Sequence, residues 1–275
     1  MVSLRTKMLK SALKTIEPFQ DRLNRIYLFK KAFQLLYDKF APDEWILVEV
    51  EGVKMYVNTR DRAISRFILQ QGCYEKGTTK VFKNVVKQGM TVVDIGAHWG
   101  YYSLIAANLG AKVFAFEPHP FNYELFAKSI SKNRLNNNIF PINKAISNKT
   151  GKAKLFCSSS NVSGHSLVNQ NNGEYIVEVE TITLDEFCKE NQILPDVVKM
   201  DIEGAEVLAL EGMEETIRRS KSMIMFVEFE RNKEELYEYL AQYFDVFRIT
   251  KNGRLIPFNE AKEGNFEPNV YCVRK

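Results

Sequence analysis

The stretch from Thr91 to Ser103 constrains this chain more than any other. An apolar run (Val92, Val93, Ile95) carries a carboxylate at Asp94, and two glycines, Gly96 and Gly100, follow with three residues between them. Leu104, Ile105, Ala106 and Ala107 then continue as a helix-like apolar pattern. The order is strand, tight turn, helix. Glycine removes the side chain where the chain must bend or a ligand must approach, and the helix start behind it offers free N–H groups. A small polar ligand is expected there.

The spacing narrows the ligand. A dinucleotide fold prefers Gly-x-Gly-x-x-Gly, which seats a pyrophosphate on the helix start. Here the pattern is Gly-x-x-x-Gly with an acid two residues before the first glycine. Asp94 would repel a phosphate and attract a cation, so an adenosyl ligand bearing a sulfonium and an amino-acid head suits the turn better. A second strand, Lys112 to Phe116, ends in Glu117, an acid placed to accept both hydroxyls of a ribose. A nucleotide-binding oxidoreductase and a non-catalytic ligand-binding module remain alternatives from other classes, and buried turn geometry explains the glycines without any ligand.

Strands and helices alternate from Thr91 onward: Thr91–Ile95, a helix from about Tyr102, Val113–Phe116, a helix from about Phe121 to Arg134, and Ile139–Asn143. Such alternation predicts a parallel sheet covered on both faces. Strands at Val197–Met200 and Met223–Phe229 flank a helix over about Ala205 to Arg219. Tyr243–Thr250 and Asn269–Arg274 read as a closing antiparallel pair around a turn at Asn252-Gly253. Between these blocks the polar stretch from Cys157 to Gly173 falls on the expected ligand edge and contains His165. Upstream, Trp45 to Val57 reads as a β-hairpin turning at Glu51-Gly52, followed by helices over Arg62–Gln70 and Thr79–Lys87. Residues 1 to 40 are basic, with apolar residues at helical spacing and a break at Pro18. They predict either a helical cap with a solvated face or amphipathic helices in peripheral contact with an anionic membrane, and the cap is the simpler reading. Residues 1–60 are thus an N-terminal helical and β-hairpin extension, and 61–275 the principal domain.

Composition mainly excludes. A net charge of +4 over 275 residues gives no case for nucleic-acid binding. Cys73, Cys157, Cys188 and Cys272 lack a Cys-x-x-Cys spacing, so no metal centre or disulfide framework is predicted, and a reduced, cytoplasmic location is expected. No run of about 18 apolar residues suggests a membrane span.

Four blocks, Asp94-Ile-Gly-Ala-His-Trp-Gly-Tyr-Tyr-Ser103, Glu117-Pro-His-Pro-Phe-Asn122, Thr183-Leu-Asp185 and Asp196-Val-Val-Lys-Met-Asp-Ile-Glu-Gly-Ala-Glu206, occur in that order. In them the chain resembles the FkbM family of S-adenosylmethionine-dependent methyltransferases, over roughly Asp61 to the C-terminus. The resemblance implies a Rossmann-like class I methyltransferase fold: a seven-stranded, mostly parallel sheet with helices on both faces. It also implies S-adenosyl-L-methionine as cofactor and a preference for O-methylation of a small hydroxylated acceptor such as a sugar, glycolipid or secondary metabolite, with N-methylation as the alternative. Carried over by position, Asp94, Gly96, His98 and Gly100 line the methionine end. Glu117 and Pro118 hold the ribose, Asn122 orders the following loop, Ala145 borders the adenine, and Tyr74 and Glu75 cover the cofactor. The family usually has Asn where this chain has His98.

An alcohol acceptor needs a base or a metal, because its own pKa lies far above neutrality. Asp201 is the first candidate base, with Glu203 and His165 behind it, and Lys199 would orient the carboxylate or the acceptor oxygen. A metal route through Asp201 and Glu228 would use Mg²⁺, an option rather than a requirement.

Overall fold

A computed structural model of the chain describes residues 44–59, 61, 64–157, 165–168, 175–262 and 264–275. The expected helices of residues 1–40 lie outside the described residues. Trp45–Val50 (β1) and Val53–Asn58 (β2) form the expected antiparallel hairpin, turning at Glu51 and Gly52, both at positive φ. Helices Ile64–Gln71 (α1) and Lys76–Val85 (α2) follow. The Rossmann-like unit then runs through Thr91–Ile95 (β3), Tyr101–Asn108 (α3), Lys112–Phe116 (β4), Pro120–Asn133 (α4) and Ile139–Ile142 (β5). Next come Ala145–Ile146 (β6), Gly151–Cys157 (β7), Tyr175–Ile182 (β8) and Leu184–Asn191 (α5). The remainder is Val197–Met200 (β9), Glu206–Glu211 (α6), Glu214–Arg219 (α7), Ile224–Glu228 (β10), Lys233–Tyr243 (α8), Phe244–Thr250 (β11), Leu255–Pro257 (β12) and Phe266–Arg274 (β13).

The main sheet has the order β12-β11-β13-β10-β9-β3-β4-β5. Strands β10, β9, β3, β4 and β5 are mutually parallel, and β13 is inserted antiparallel between β10 and β11. Central strands of such a sheet are covered on both faces and read as apolar runs. Accordingly, all of β9 and all but the first residue of β3 are buried. The expected seven strands are eight: after the Asn252-Gly253 turn, the short β12 pairs back onto β11 before the chain reaches β13. A second, three-stranded sheet, β6-β8-β7, was not expected. It stands beside the carboxyl edge of the main sheet around a small core of Ala145, Leu155, Cys157 and Val179. The helix expected over about Ala205–Arg219 is two, broken at Gly212. A side chain at Gly212 would stand 2.0 Å from the Ser147 carbonyl oxygen.

The hairpin is part of the main packing. Ile46, Val50, Val53, Met55 and Val57 share one apolar cluster with β3, β4 and α3. The Tyr56 N–H donates to Ser129 Oγ (3.1 Å) and the Lys54 N–H to Asn133 Oδ1 (2.8 Å), both acceptors on α4. Trp45 lies edge-on to Trp99 at 5.1 Å and to Phe121 at 5.2 Å.

Candidate active site

The glycine turn after β3 is held by the protein's own backbone. Gly96 and Gly100 have φ of +84° and +91°, in the left-handed region that glycine enters without cost. A Cβ on Gly96 would sit 2.0 Å from the Asp201 carbonyl oxygen, and one on Gly100 would sit 2.1 Å from the Phe126 ring. Both glycines are thus required by close internal packing, a different reason from the ligand approach that the sequence suggested. His98 adopts φ +52° without being glycine. Among side chains, Asn and His are enriched in this conformation, which accounts for His at a position where the family usually has Asn.

Glu117 ties this turn to the end of β4. Its two carboxylate oxygens accept from the His98 N–H (2.8 Å) and the His119 N–H (2.9 Å), and the side chain is buried. Burial pushes its carboxyl up to about 7, against the pull of the His119 and His98 N–H groups and of Asn122. Asn122 Oδ1 accepts from the Trp99 indole N–H (3.0 Å), so it braces the glycine turn directly. Asn143, where the third parallel strand ends, donates to the carbonyls of Glu117 (2.8 Å) and Pro118 (3.0 Å). Pro118, Asn122, Ala145, Ile146 and Leu155 complete a narrow cleft of about 50 Å³ beside Glu117.

A larger cavity of about 680 Å³, within the usual size of small-molecule sites, opens on the other side of the turn. Both cavities are bordered by Gly96, His98, Asp201 and Glu203. Tyr74, Trp99, Tyr101 and Tyr102 line its aromatic part, and Glu75, Asp94, Lys199, Asp201, Glu228 and Glu267 its charged part. At its centre is Lys199, 1% exposed on the central strand β9, an unusual place for a lysine. Its Nζ lies 3.2 Å from Asp201 Oδ2 and 5.0 Å from the centre of the Tyr102 ring. Burial pulls this ammonium down, but Asp201, Glu75 and Asp94 together hold it above its ordinary value.

The surrounding acids are arranged in a graded series. Asp94 accepts from the Ser103 hydroxyl (2.6 Å), and burial raises its carboxyl to about 6. Glu75 accepts from Tyr102 Oη (2.6 Å) and Asn269 Nδ2 (2.8 Å) and is raised to about 7 by burial, with Lys199 opposing. Glu203, 3.4 Å from Arg231, is raised to about 7 by burial and by Asp201. Glu228 is pushed up to about 11 by burial and by Asp201, Glu203 and Glu206, and therefore carries a proton at neutral pH. Carboxylate oxygens of Asp201, Glu203 and Glu228 lie within 4.8 Å of one another, so these three could converge on a hard cation.

Strand β9 ends at Met200, and the chain then turns through Glu203 (φ +57°) and Gly204 (φ +96°). Glu206 Oε1 accepts the N–H groups of Ile202 (3.1 Å) and Gly204 (3.2 Å) and fixes that turn. Lys199, Asp201 and Glu203 reach one cavity. His165 lines the narrow cleft and not the large cavity, with its ring 4.5 Å from that of His119. Thr183 and Asp185 serve as caps. Thr183 Oγ1 accepts from the Glu186 N–H at the start of α5, and Asp185 accepts from the N–H groups of Glu215 and Thr216 on α7. Sequence reasoning missed Tyr102, Trp99 and Glu267. The last accepts from the Gly77 N–H (2.7 Å) and pairs with Lys251 (2.8 Å), partners too remote in sequence to leave a local signal.

Comparison with known proteins supplies the lineage. The Methyltransferase FkbM domain matches residues 94–253, more than half of the chain. The hexuronic acid methyltransferase AglP of Haloferax volcanii is 25% identical over 162 residues, which cover 58% of this chain and 65% of that protein. The chain thus spans just under two thirds of the length of this relative. A S-adenosylmethionine-dependent methyltransferase from Agrobacterium tumefaciens superposes with a TM-score of 0.50 at 11% identity, covering 86% of this chain and 72% of that one, and shows the fold. A FkbM methyltransferase from Methylobacillus flagellatus has a TM-score of 0.47 at 15% identity, covering 76% of this chain and 52% of that one. The profile match over residues 94–253 places the chain in the FkbM methyltransferase domain family.

Proposed function

We propose that this chain transfers a methyl group from S-adenosylmethionine to a hydroxyl of a small acceptor, with a neutral sugar or glycolipid headgroup as the preferred class. The observation that carries the reading is the pair of cavities meeting at Gly96, His98, Asp201 and Glu203: a narrow apolar cleft beside a buried acid, and a roomy aromatic cavity beside an exposed-edge carboxylate.

The residues present fit the cofactor. Glu117 accepts the His98 and His119 N–H groups, one on each oxygen, with Asn122 also interacting with it, and this leaves acceptor capacity for a ribose hydroxyl. Asp94 offers negative charge on the side of the turn where a sulfonium or ammonium would lie. Bound there, the cofactor supplies a methyl group on a sulfonium whose thioether leaves without acid assistance. The chain's own task is therefore alignment and removal of the acceptor proton. Asp201 takes that proton, and Lys199, 3.2 Å away, holds the carboxylate in place. Phe67 and Tyr74 on the cavity wall offer aromatic contact for a pyranose ring.

AglP is named for a hexuronic acid. In this chain the cavity sets Glu75, Asp94, Asp201, Glu203, Glu230 and Glu267 against Lys76, Lys199 and Lys251, an excess of acids that disfavours a carboxylated sugar. The test is a panel of neutral sugars, uronic acids, amino sugars and glycolipids, read as S-adenosylhomocysteine release and a mass gain on the acceptor. Asp201→Asn is expected to retain S-adenosylhomocysteine binding while losing about 10²–10⁴-fold in turnover. Methyl groups found only on nitrogen, or full turnover in Asp201→Asn, would overturn the reading.

A further inference from the structure

A second group of side chains lies on the far side of the narrow cleft, where the methyl-transfer chemistry has no use for it. His119 follows β4, Cys157 ends β7, and His165 belongs to the described segment 165–168. One ligand-capable atom from each of the three lies within 4.8 Å of the other two. His119 is 8% exposed, and its Nε2 is 3.2 Å from the Tyr175 hydroxyl, which leaves Nδ1 as the free nitrogen. That Nδ1 is buried without a hydrogen-bond partner, as are both nitrogens of His165. Three orphaned imidazole nitrogens in one pocket are costly, and a pair of rings 4.5 Å apart does not remedy this. A thiol beside them completes a donor set that a borderline-soft cation satisfies.

We propose that His119, Cys157 and His165 bind one zinc ion through two imidazole nitrogens and a thiolate. Tetrahedral zinc places nitrogen and sulfur ligands roughly 3.4–3.7 Å apart, so the group needs to close by only about 1 Å. Binding exchanges the Cys157 thiol proton, now directed at the Leu155 carbonyl (3.6 Å), for the metal and releases it to solvent. Tyr175, accepting the Nε2–H of His119, is the outer partner that fixes the tautomer. Three protein ligands leave a fourth position for water. Because His165, Ser166 and Leu167 wall the narrow cleft, the ion would fasten that wall to β7 and to the turn after β4. The spacing of 38 and 8 residues between successive ligands matches no short zinc motif, which is why the sequence predicted no metal centre.

The test uses the full chain, stripped with EDTA, dialysed, and titrated with Zn²⁺ against a chromogenic chelator, independently of any methylation assay. One equivalent is expected to bind, with affinity falling by more than about tenfold in Cys157→Ser and in His165→Ala. Co²⁺ substitution of the wild-type chain is expected to give a thiolate-to-metal charge-transfer band that Cys157→Ser lacks. Circular dichroism of the metal-free variants reports whether they fold. If they do not, the wild-type cobalt spectrum decides alone, and absence of the charge-transfer band overturns the proposal. Failure of the wild-type chain to bind zinc stoichiometrically also overturns it. So does zinc binding that survives both substitutions but is lost in Asp201→Asn, which would move the ion to the acidic cavity.

Discussion

Replacing Lys199 by methionine removes the one buried cation from a cavity wall that carries Asp201, Glu75, Asp94 and Glu228, while nearly preserving side-chain volume. At 3.2 Å and an effective dielectric of about 20, attraction to Asp201 alone amounts to about 5 kcal/mol. The lysine's own desolvation and the partial solvent contact of Asp201 reduce that figure. Breaking a buried pair by removing one partner costs about 3–5 kcal/mol, and this range is expected for Lys199→Met at pH 8. The penalty is pH-dependent, with a definite sign. Burial raises the folded-state carboxyls of Asp94 to about 6 and Glu75 to about 7, and Lys199 opposes both shifts. Acids raised in the folded state weaken stability as the pH climbs through those values. Without Lys199 the two carboxyls rise further, remain protonated at pH 5.5, and no longer need a cation there. The loss at pH 5.5 is therefore expected to be roughly half of that at pH 8. Urea unfolding of both proteins at the two pH values measures this directly. A loss below about 1 kcal/mol at pH 8, or an equal loss at both values, would refute the picture of a cation shared among buried acids.

Glu228→Gln provides the contrast: Glu228 already carries a proton at neutral pH, so the amide is expected to change stability by less than about 1 kcal/mol in the same assay. Calorimetric titration of S-adenosylhomocysteine is expected to show affinity rising between pH 5.5 and 8, as Asp94 and Glu117 ionise through about 6 and about 7. Glu117→Gln is expected to flatten that rise and weaken binding about tenfold or more. His98→Asn, which keeps a residue tolerant of φ +52°, is expected to leave the melting temperature unchanged or slightly higher, whereas a β-branched residue such as valine lowers it. Since Lys199 already supplies a cation beside Asp201, turnover is expected to proceed without Mg²⁺. Activity lost to EDTA and restored by Mg²⁺ but not by Zn²⁺ would instead put a divalent ion among Asp201, Glu203 and Glu228.

The parallel strands were legible because each is a short apolar run between turn residues, and β3, β4, β9 and β10 fall within a residue of their expected limits. The second sheet was not legible although β8, Tyr-Ile-Val-Glu-Val-Glu-Thr-Ile, alternates over half its length, because the Ser-, Asn- and Gly-rich residues before it carry turn signals. Lys199, Asp201 and Glu203, singled out as candidates for the acceptor chemistry, face a common cavity. Their placement was not legible, because Glu206 and two positive-φ residues turn the backbone after Met200. The sequence signalled both glycines but not the reason for them, since the Asp201 carbonyl and the Phe126 ring arrive from elements far along the chain. Long-range partnerships of this kind also hid Glu267 and the His119–Cys157–His165 group.

The N-terminal hairpin has a consequence for how acceptor choice could diverge. Met55, fully buried on β2, forms part of the large cavity's wall, together with Ile64 and Phe67 from the helix that follows. The glycine turn is carried by the sheet, whereas this part of the cavity wall is carried by the hairpin and the helix after it. Substituting the side chains that this wall presents to the cavity would reshape the cavity while leaving the glycine turn in place. An engineer reshaping the cavity should therefore begin with Phe67 and Gln71 and leave the buried hairpin core alone.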